Sequence, residues 1–316
     1  MNKLLPLVVI VGPTAVGKTE VGIKVAEKIK GEIISGDSMQ VYKYMDIGTA
    51  KPSPEEMAGI PHHMIDIITP GEDFSVAKFQ QMVERYITEI NDRGKIPIVV
   101  GGTGLYIRSL LDRYDFSPPG GSSSKRVELE RLAAERGNKY LVGLLKDVDP
   151  KSAERIHPND TRRLIRALEV FQTVGRPISD FQYISNEGSP KYNTAYFGLN
   201  MNRQELYKKI EQRVDIMIAR GLVDEVERLV KMGYGVQNTA MQALGYKEMH
   251  DYLNGLCSLE DAVELTKRNT RRFAKRQITW FRRDSRIQWI DVEKRSSLEE
   301  IAGEIASKAE GQFYYT

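Results

Sequence analysis

The chain opens with an apolar run, residues 4–11, that is cut off by Gly12-Pro-Thr-Ala-Val-Gly17-Lys18-Thr19 and followed by apolar positions at Val21, Val25 and Ile29. The middle segment fits the pattern G-x4-G-K-[ST]. It stands where that pattern has structural meaning, between a strand and an amphipathic helix. Glycines at both ends let backbone N–H groups close around phosphate oxygens, and the start of the following helix adds a positive field. Lys18 supplies a mobile cation, and the Thr19 hydroxyl is placed to reach a magnesium ion. The loop predicts a di- or triphosphate ligand without fixing the reaction. A later apolar run, 96–100, ends in Gly101-Gly102-Thr103-Gly104 and not in the aspartate expected of an ATPase. The phosphates therefore need not belong to a nucleotide.

Short apolar runs at 7–11, 32–35 and 96–100 alternate with helical periodicity over 18–29 and 79–91. Strands this apolar are buried on both faces, so the reading is an α/β fold: a P-loop parallel sheet covered by helices. The pattern changes near Asp112. A breaker cluster, SPPGGSSS at 117–124, introduces amphipathic helical segments to about Gln182, and β-like sequence returns at 193–199. The simplest organisation is a core of residues 1–113 and 190–316 interrupted by a helical insertion at 114–189. A chain of 316 residues is about twice a typical domain, which agrees. A last strand is expected at 287–292, and Phe313 to Thr316 read as a tail.

No apolar stretch approaches the ~18 residues of a membrane span, so no membrane partner is expected. The run at 4–11 is followed by the glycine loop, not by a cleavage site, and reads as a buried strand. The single cysteine, Cys257, fits a reducing cytoplasm. His62, His63, His157 and His250 have no metal-ligand spacing and read as turn, core or surface residues. Nothing indicates an oligomer, and a monomer is the expectation.

Asp37 follows the second strand as the phosphate loop follows the first. In an open α/β sheet those ends border the ligand crevice, where a carboxylate binds metal or moves a proton. An aspartate of a simple Asp-Ser turn has the same local signature. Thr103, after the 96–100 strand, reaches the same crevice or closes a tight turn.

Net charge is +3, but nine basic residues and one acid crowd residues 266–286, giving that segment +8 and the rest of the chain a net negative charge. Lys267, Arg271 and Lys275 recur at i, i+4, i+8, with Arg268, Arg272 and Arg276 in the adjacent stripe. On a helix the two merge into one cationic face, with Phe273 directed elsewhere. Such a face suits a polyanion and predicts RNA contact. Trp280 and Phe281 fit either RNA stacking or an anchor to the core. Ile210, Val214, Met217 and Ile218 read as helix core.

In order, GPTAVGKT at 12–19, GDSMQVY at 36–42, MDIGTAKPS at 45–53, PHHMIDI at 61–67 and GGTGLY at 101–106 are followed by RIHPNDTRRLIRALEV at 155–170, IEQRVDIM at 210–217, MQALGYKE at 241–248 and RRFAKRQITWFRR at 271–283. Together they closely resemble the bacterial tRNA dimethylallyltransferases, or tRNA isopentenyltransferases, almost end to end. The phosphate loop is shared by many enzymes; GDSMQVY, GTAKPS and KRQITWFRR are far more specific.

The resemblance implies prenyl transfer from dimethylallyl diphosphate to N6 of the adenosine just 3′ of the anticodon, in tRNAs reading U-initial codons. Diphosphate is released and magnesium is expected. Gly12, Pro13, Thr14, Ala15, Val16, Gly17, Lys18 and Thr19 would hold the diphosphate, helped by Thr103 and Arg213. Asp37 would be the base, with Ser38, Met39 and Gln40 touching the target nucleobase. Arg162, Arg163, Leu164, Ile165 and Arg166, and Gln242, Ala243, Leu244, Gly245, Tyr246 and Lys247, would contact the anticodon stem-loop, with Arg126 a further candidate. The rivals are a P-loop kinase, a prenyltransferase of free adenine nucleotides and an RNA-binding NTPase.

Overall fold

The computed structural model describes residues 4–112, 123–181 and 190–314. Two compact units emerge: Met1–Leu111 with Pro190–Thr316, and Asp112–Ser189.

The first unit begins β1 (Pro6–Val11), α1 (Lys18–Ile29), β2 (Gly31–Ser35), β3 (His62–His63), α2 (Val76–Asp92), β4 (Ile96–Gly101) and α3 (Gly104–Leu111). The second unit contributes α4 (Ser123–Arg136), α5 (Asn138–Val148), α6 (Pro150–Arg155) and α7 (Thr161–Val174). The first then resumes with β5 (Asn193–Asn200), α8 (Arg203–Ala219), α9 (Leu222–Lys231), α10 (Tyr246–Leu253), α11 (Leu259–Phe281), β6 (Gln288–Asp291) and α12 (Leu298–Tyr314).

The six strands form one parallel sheet in the order β3-β2-β4-β1-β5-β6. Its centre is buried on both faces, as the apolar runs predict. In β1, Leu7, Val9 and Val11 pack into one core layer with Phe79, Val83 and Ile87 of α2. Val8 and Ile10 enter the opposite layer with Val21 and Val25 of α1. Each fully buried side chain of this kind contributes about 1.5–3 kcal/mol, so alternation on both faces secures the register.

Phe313 is not part of a tail. It is 6% exposed and sits in the same layer as Ile301 and Ile305 of α12. The last helix thus covers the sheet beside α1, pinned outside by Glu299 pairing with Lys24 and Lys28. The second unit has its own small core, including Leu129, Leu141, Leu145, Leu164 and Leu168. The SPPGGSSS cluster lies mostly outside the described residues.

His62 and His63 occupy the sheet edge. His62 Nδ1 lies 2.8 Å from the Ile60 carbonyl, and His63 Nε2 lies 2.7 Å from the buried Glu32 carboxylate. Among the described residues no cluster of three or more His, Cys, Asp or Glu could hold a metal.

Candidate active site

β2, β4 and β1 are neighbours, so the loops leaving their carboxyl ends meet in one place. From β1 the chain turns into the phosphate loop. Gly17 takes a left-handed conformation at φ 95° just before α1, which a side chain would strain. Lys18 Nζ donates to the Pro13 carbonyl at 2.6 Å, folding the lysine back over its own loop. Thr14, Ala15, Gly17, Lys18 and Thr19 line a cavity of about 490 Å³. Gly12, Pro13 and Val16 do not line it. Val16 is 1% exposed and anchors the loop in the core, so these residues shape the cradle.

Asp37 reaches the same cavity from β2, and Thr103 from β4. The turn after β2 is tightly tied. Met39 N–H donates to Asp37 Oδ1 at 2.8 Å, an Asx turn, and Ser38 N–H donates to Thr103 Oγ1 at 3.1 Å. Ser35 Oγ accepts from Asp37 N–H and donates to Gln40 Oε1, whose amide reaches the carbonyls of Thr49 and Ala50. Asp37 therefore fills both readings left open by its sequence: it closes a turn and presents a carboxylate to the cavity.

The opposite wall is helical. α8 brings Arg213 with Ile210, Val214 and Met217; α11 brings Thr266, Thr270, Phe273, Arg276 and Gln277. The stripe read as helix core thus also forms the apolar lining of the pocket. Phe273, off the main cationic face, lines the cavity, with the Arg276 guanidinium 5.7 Å from its ring centre.

Burial and, after it, the nearby Arg213 guanidinium pull the Lys18 ammonium down to about 7, with Asp37 opposing both. Burial also lowers Arg213, again against the pull of Asp37. Two desolvated cations facing one cavity are a poor arrangement unless an anion is to be placed between them.

Gln277 was not visible as a site residue in the sequence. Only 6% exposed, it accepts from Thr14 N–H at 2.9 Å and donates to the Gly102 carbonyl at 3.0 Å, tying the phosphate loop to the β4 turn. A Cβ on Gly104 would lie 2.2 Å from the Trp280 ring, so α11 is seated directly on this turn and Trp280 is an anchor. Glu225 was also missed. It is 1% exposed and accepts from the N–H groups of Asp46, Ile47 and Gly48 and from the Tyr246 hydroxyl. Glu225 leaves a sequence signal, a charge in the buried phase of an otherwise apolar helix stripe, whereas Gln277 shares its buried stripe with another polar residue, Thr266.

Several expected RNA contacts need correction. Leu164 and Ile165 are buried in the core of the second unit, leaving Arg162 and Arg163 exposed there, while Arg166 pairs with buried Glu169. Arg126 is exposed, 3.6 Å from Glu130. Tyr246 is fully buried, whereas Gln242 and Lys247 are exposed and Gln242, Ala243, Leu244 and Gly245 border the cavity. The basic stripe divides. Lys267 pairs with Asp215 and Glu264, and Arg271 with Glu211. Arg268, Arg272, Lys275 and Arg276 are exposed.

A parallel sheet with a P-loop at its centre, a carboxylate two strand ends away across β4 and a largely apolar helical wall defines a phosphate-ester enzyme that acts on a group larger than phosphate itself. Comparison with known proteins is specific. The IPP transferase family model matches residues 40–284. A tRNA dimethylallyltransferase from Carboxydothermus hydrogenoformans is 57% identical over 96% of this chain and 97% of its own. One from Pelotomaculum thermopropionicum is 52% identical over 98% of each chain. The crystal structure of the tRNA isopentenylpyrophosphate transferase from Bacillus halodurans aligns at TM-score 0.71 and 45% identity, covering 98% of both chains. A eukaryotic dimethylallyltransferase acting on tRNA aligns at TM-score 0.75 and 32% identity over 90% of this chain and 73% of its own. The chain belongs to the IPP transferase family. Among the described residues, no helix is long and apolar enough to cross a membrane.

Proposed function

We propose that this chain transfers a dimethylallyl group from dimethylallyl diphosphate to N6 of the adenosine 3′ of the anticodon, in tRNAs reading U-initial codons, as a cytoplasmic monomer. One observation carries the reading. The cavity holds a half-buried, desolvated cation pair, Lys18 and Arg213, near a carboxylate, Asp37, with the apolar side chains of Ile210, Val214, Met217 and Phe273 on its helical wall. That set suits a diphosphate joined to a short hydrocarbon and an acceptor that loses a proton.

In the reaction the N6–C1 bond forms and the C1–O bond breaks, its electron pair leaving with the diphosphate. The amides of the phosphate loop, Lys18 and Arg213 stabilise the charge that collects there, typically the largest contribution in such a site. Asp37 accepts the N6 proton, and the Asx turn and Ser38–Thr103 bond hold its loop in place. Thr103 contributes its hydroxyl to this end of the cavity. Thr19, whose residue lines the cavity beside Lys18, would supply a hydroxyl to magnesium, an ion held by one or two protein oxygens together with substrate phosphates. When bound, magnesium neutralises charge on the diphosphate.

The acceptor base must leave its stack, which costs a few kcal/mol. Ser38, Met39 and Gln40 are placed to meet it. Gln242, Leu244, Lys247, Arg162, Arg163 and Arg126, with the exposed arginines of α11, supply contacts to the RNA.

The test is incubation with labelled dimethylallyl diphosphate and an unmodified anticodon stem-loop containing adenosine at that position. Prenylated adenosine in the RNA supports the reading. Prenylation of AMP but not RNA, or phosphoryl transfer from ATP, overturns it.

A further inference from the structure

Arg213 is placed at the cavity by something other than its own bonds. No described residue forms a hydrogen bond or an ion pair with its guanidinium, in contrast to Lys18, which is tied to Pro13. The position of that charge is therefore set by how α8 lies and how it is rotated about its axis.

α8 carries Glu211 and Asp215 two residues to either side of Arg213. At 100° per residue both carboxylates fall on the face away from it and next to each other. α11 runs alongside with its own pair one turn apart. Lys267 Nζ lies 2.8 Å from Asp215 Oδ1, and the Arg271 guanidinium binds Glu211. Rising numbers on α11 meet falling numbers on α8, so the helices are antiparallel and the pairs are successive rungs of one ladder. The next rung would set Lys275 level with Tyr207, which has no carboxylate, and Lys275 is exposed.

We propose that Lys267 and Arg271 are positioning residues for Arg213. The ladder fixes the rotation of α8, so that Arg213 faces the phosphate loop while the carboxylates are turned outward. Without it, α8 is held only by its buried Leu206, Ile210 and Val214 and can turn slightly about that apolar seam. A guanidinium at the end of a long side chain then moves by an ångström or more, which is costly for a group that must meet a leaving diphosphate. Ion pairs whose carboxylates stay in contact with solvent, as these do, contribute modestly to stability, so the effect falls more on chemistry than on folding. The assignment rests on the diphosphate role of Arg213 proposed above.

The experiment compares Arg271→Gln, Glu211→Gln, Arg271→Lys and Arg213→Gln in the full chain, alone and combined, with RNA saturating. Arg271→Gln and Glu211→Gln are each expected to raise KM for dimethylallyl diphosphate or lower kcat by roughly ten- to thirtyfold, and the pair together by no more than either alone. Arg271→Lys should recover most of the loss. In the Arg213→Gln background, Arg271→Gln should add nothing. The slope of log RNA affinity against log salt should be unchanged by Arg271→Gln. The proposal is overturned if Arg271→Gln costs the same factor in the Arg213→Gln background. It is equally overturned if Arg271→Gln lowers the salt slope by about one and Glu211→Gln leaves turnover intact, the behaviour of a phosphate contact. Failure of the functional reading is separate, because it would show as no prenyl transfer by the unaltered protein.

Discussion

The two walls of the cavity are made in different ways. The sheet-side wall is built by backbone: three strand ends close together, a glycine loop, an Asx turn, and short hydrogen bonds between residues near one another in sequence or on neighbouring strands. The helical wall is built by side chains that arrive from far away, such as Gln277, which meets Thr14 across 263 positions. A wall of the first kind is specified by local patterns of glycine and polar residues. A wall of the second kind exists only once helices have packed. The proposed chemistry is divided along the same line: the phosphate loop and the proposed base, Asp37, belong to the first wall, while Arg213 and the apolar lining belong to the second.

The largest effect expected from separating these contributions is at Asp37. Asp37→Asn keeps the acceptor of the Asx turn but removes the base, so turnover should fall by about 10²–10⁴-fold with RNA binding retained. Single-turnover transfer alongside a binding titration would check this. A loss of less than about fivefold would move the proton's destination away from the sheet-side wall.

Smaller, and sensitive to both walls, is the pH dependence of diphosphate binding. Lys18 in the free protein is pulled down to about 7, and a bound anion favours its charged form, so binding takes up a proton at alkaline pH. Affinity for inorganic diphosphate should hold below pH 7 and fall by up to about tenfold per unit above it, until pH reaches the Lys18 value in the complex. Arg213→Gln removes a repulsive neighbour and should move the onset upward, apart from weakening binding overall. Titration calorimetry in buffers of different ionisation heat would show both effects. An onset unmoved by this change would separate the two walls electrostatically.

The smallest effect concerns the tie between the walls. Gln277→Ala leaves the Thr14 N–H and the Gly102 carbonyl without their partner in a part-buried position. A loss of about 1–3 kcal/mol in stability is expected from denaturant unfolding. Diphosphate affinity should fall by roughly tenfold as the cradle loosens. Stability loss with unchanged affinity would mean that the sheet-side wall keeps its shape unaided.

Legibility in the sequence follows the same division. The strands at 7–11, 32–35 and 96–100 could be read because a central parallel strand must be apolar on both faces, and Val8 and Val9 do pack into opposite layers. Gly12 to Thr19 could be read because a phosphate cradle is a local backbone shape. Phe313 was misplaced because an apolar residue at a chain end has no local mark to distinguish a docked helix from a loose tail. Lys267 and Arg271 looked like part of a free cationic face because Asp215 and Glu211, which pair with them, lie on another helix more than fifty positions away; only Glu264, the second partner of Lys267, is on the same helix. Glu225 carried a mark, a charge on an apolar stripe, but the mark says only that a partner exists and not which one; Gln277, on a stripe that also buries Thr266, carried a weaker one.

By itself, the order of amino acids determined the sheet, the phosphate loop, the carboxylate at the next strand end and the excess of positive charge near the carboxyl terminus. These depend on backbone sterics, burial of alternate residues and composition, all of which act over a few neighbours. Packing alone decided which cations of α11 remain exposed and which are paired with carboxylates of α8. It also decided that Arg213 joins Lys18, and that an apolar helix stripe becomes the lining of a pocket. Those outcomes depend on distances between groups remote along the chain, and charge and desolvation act through space.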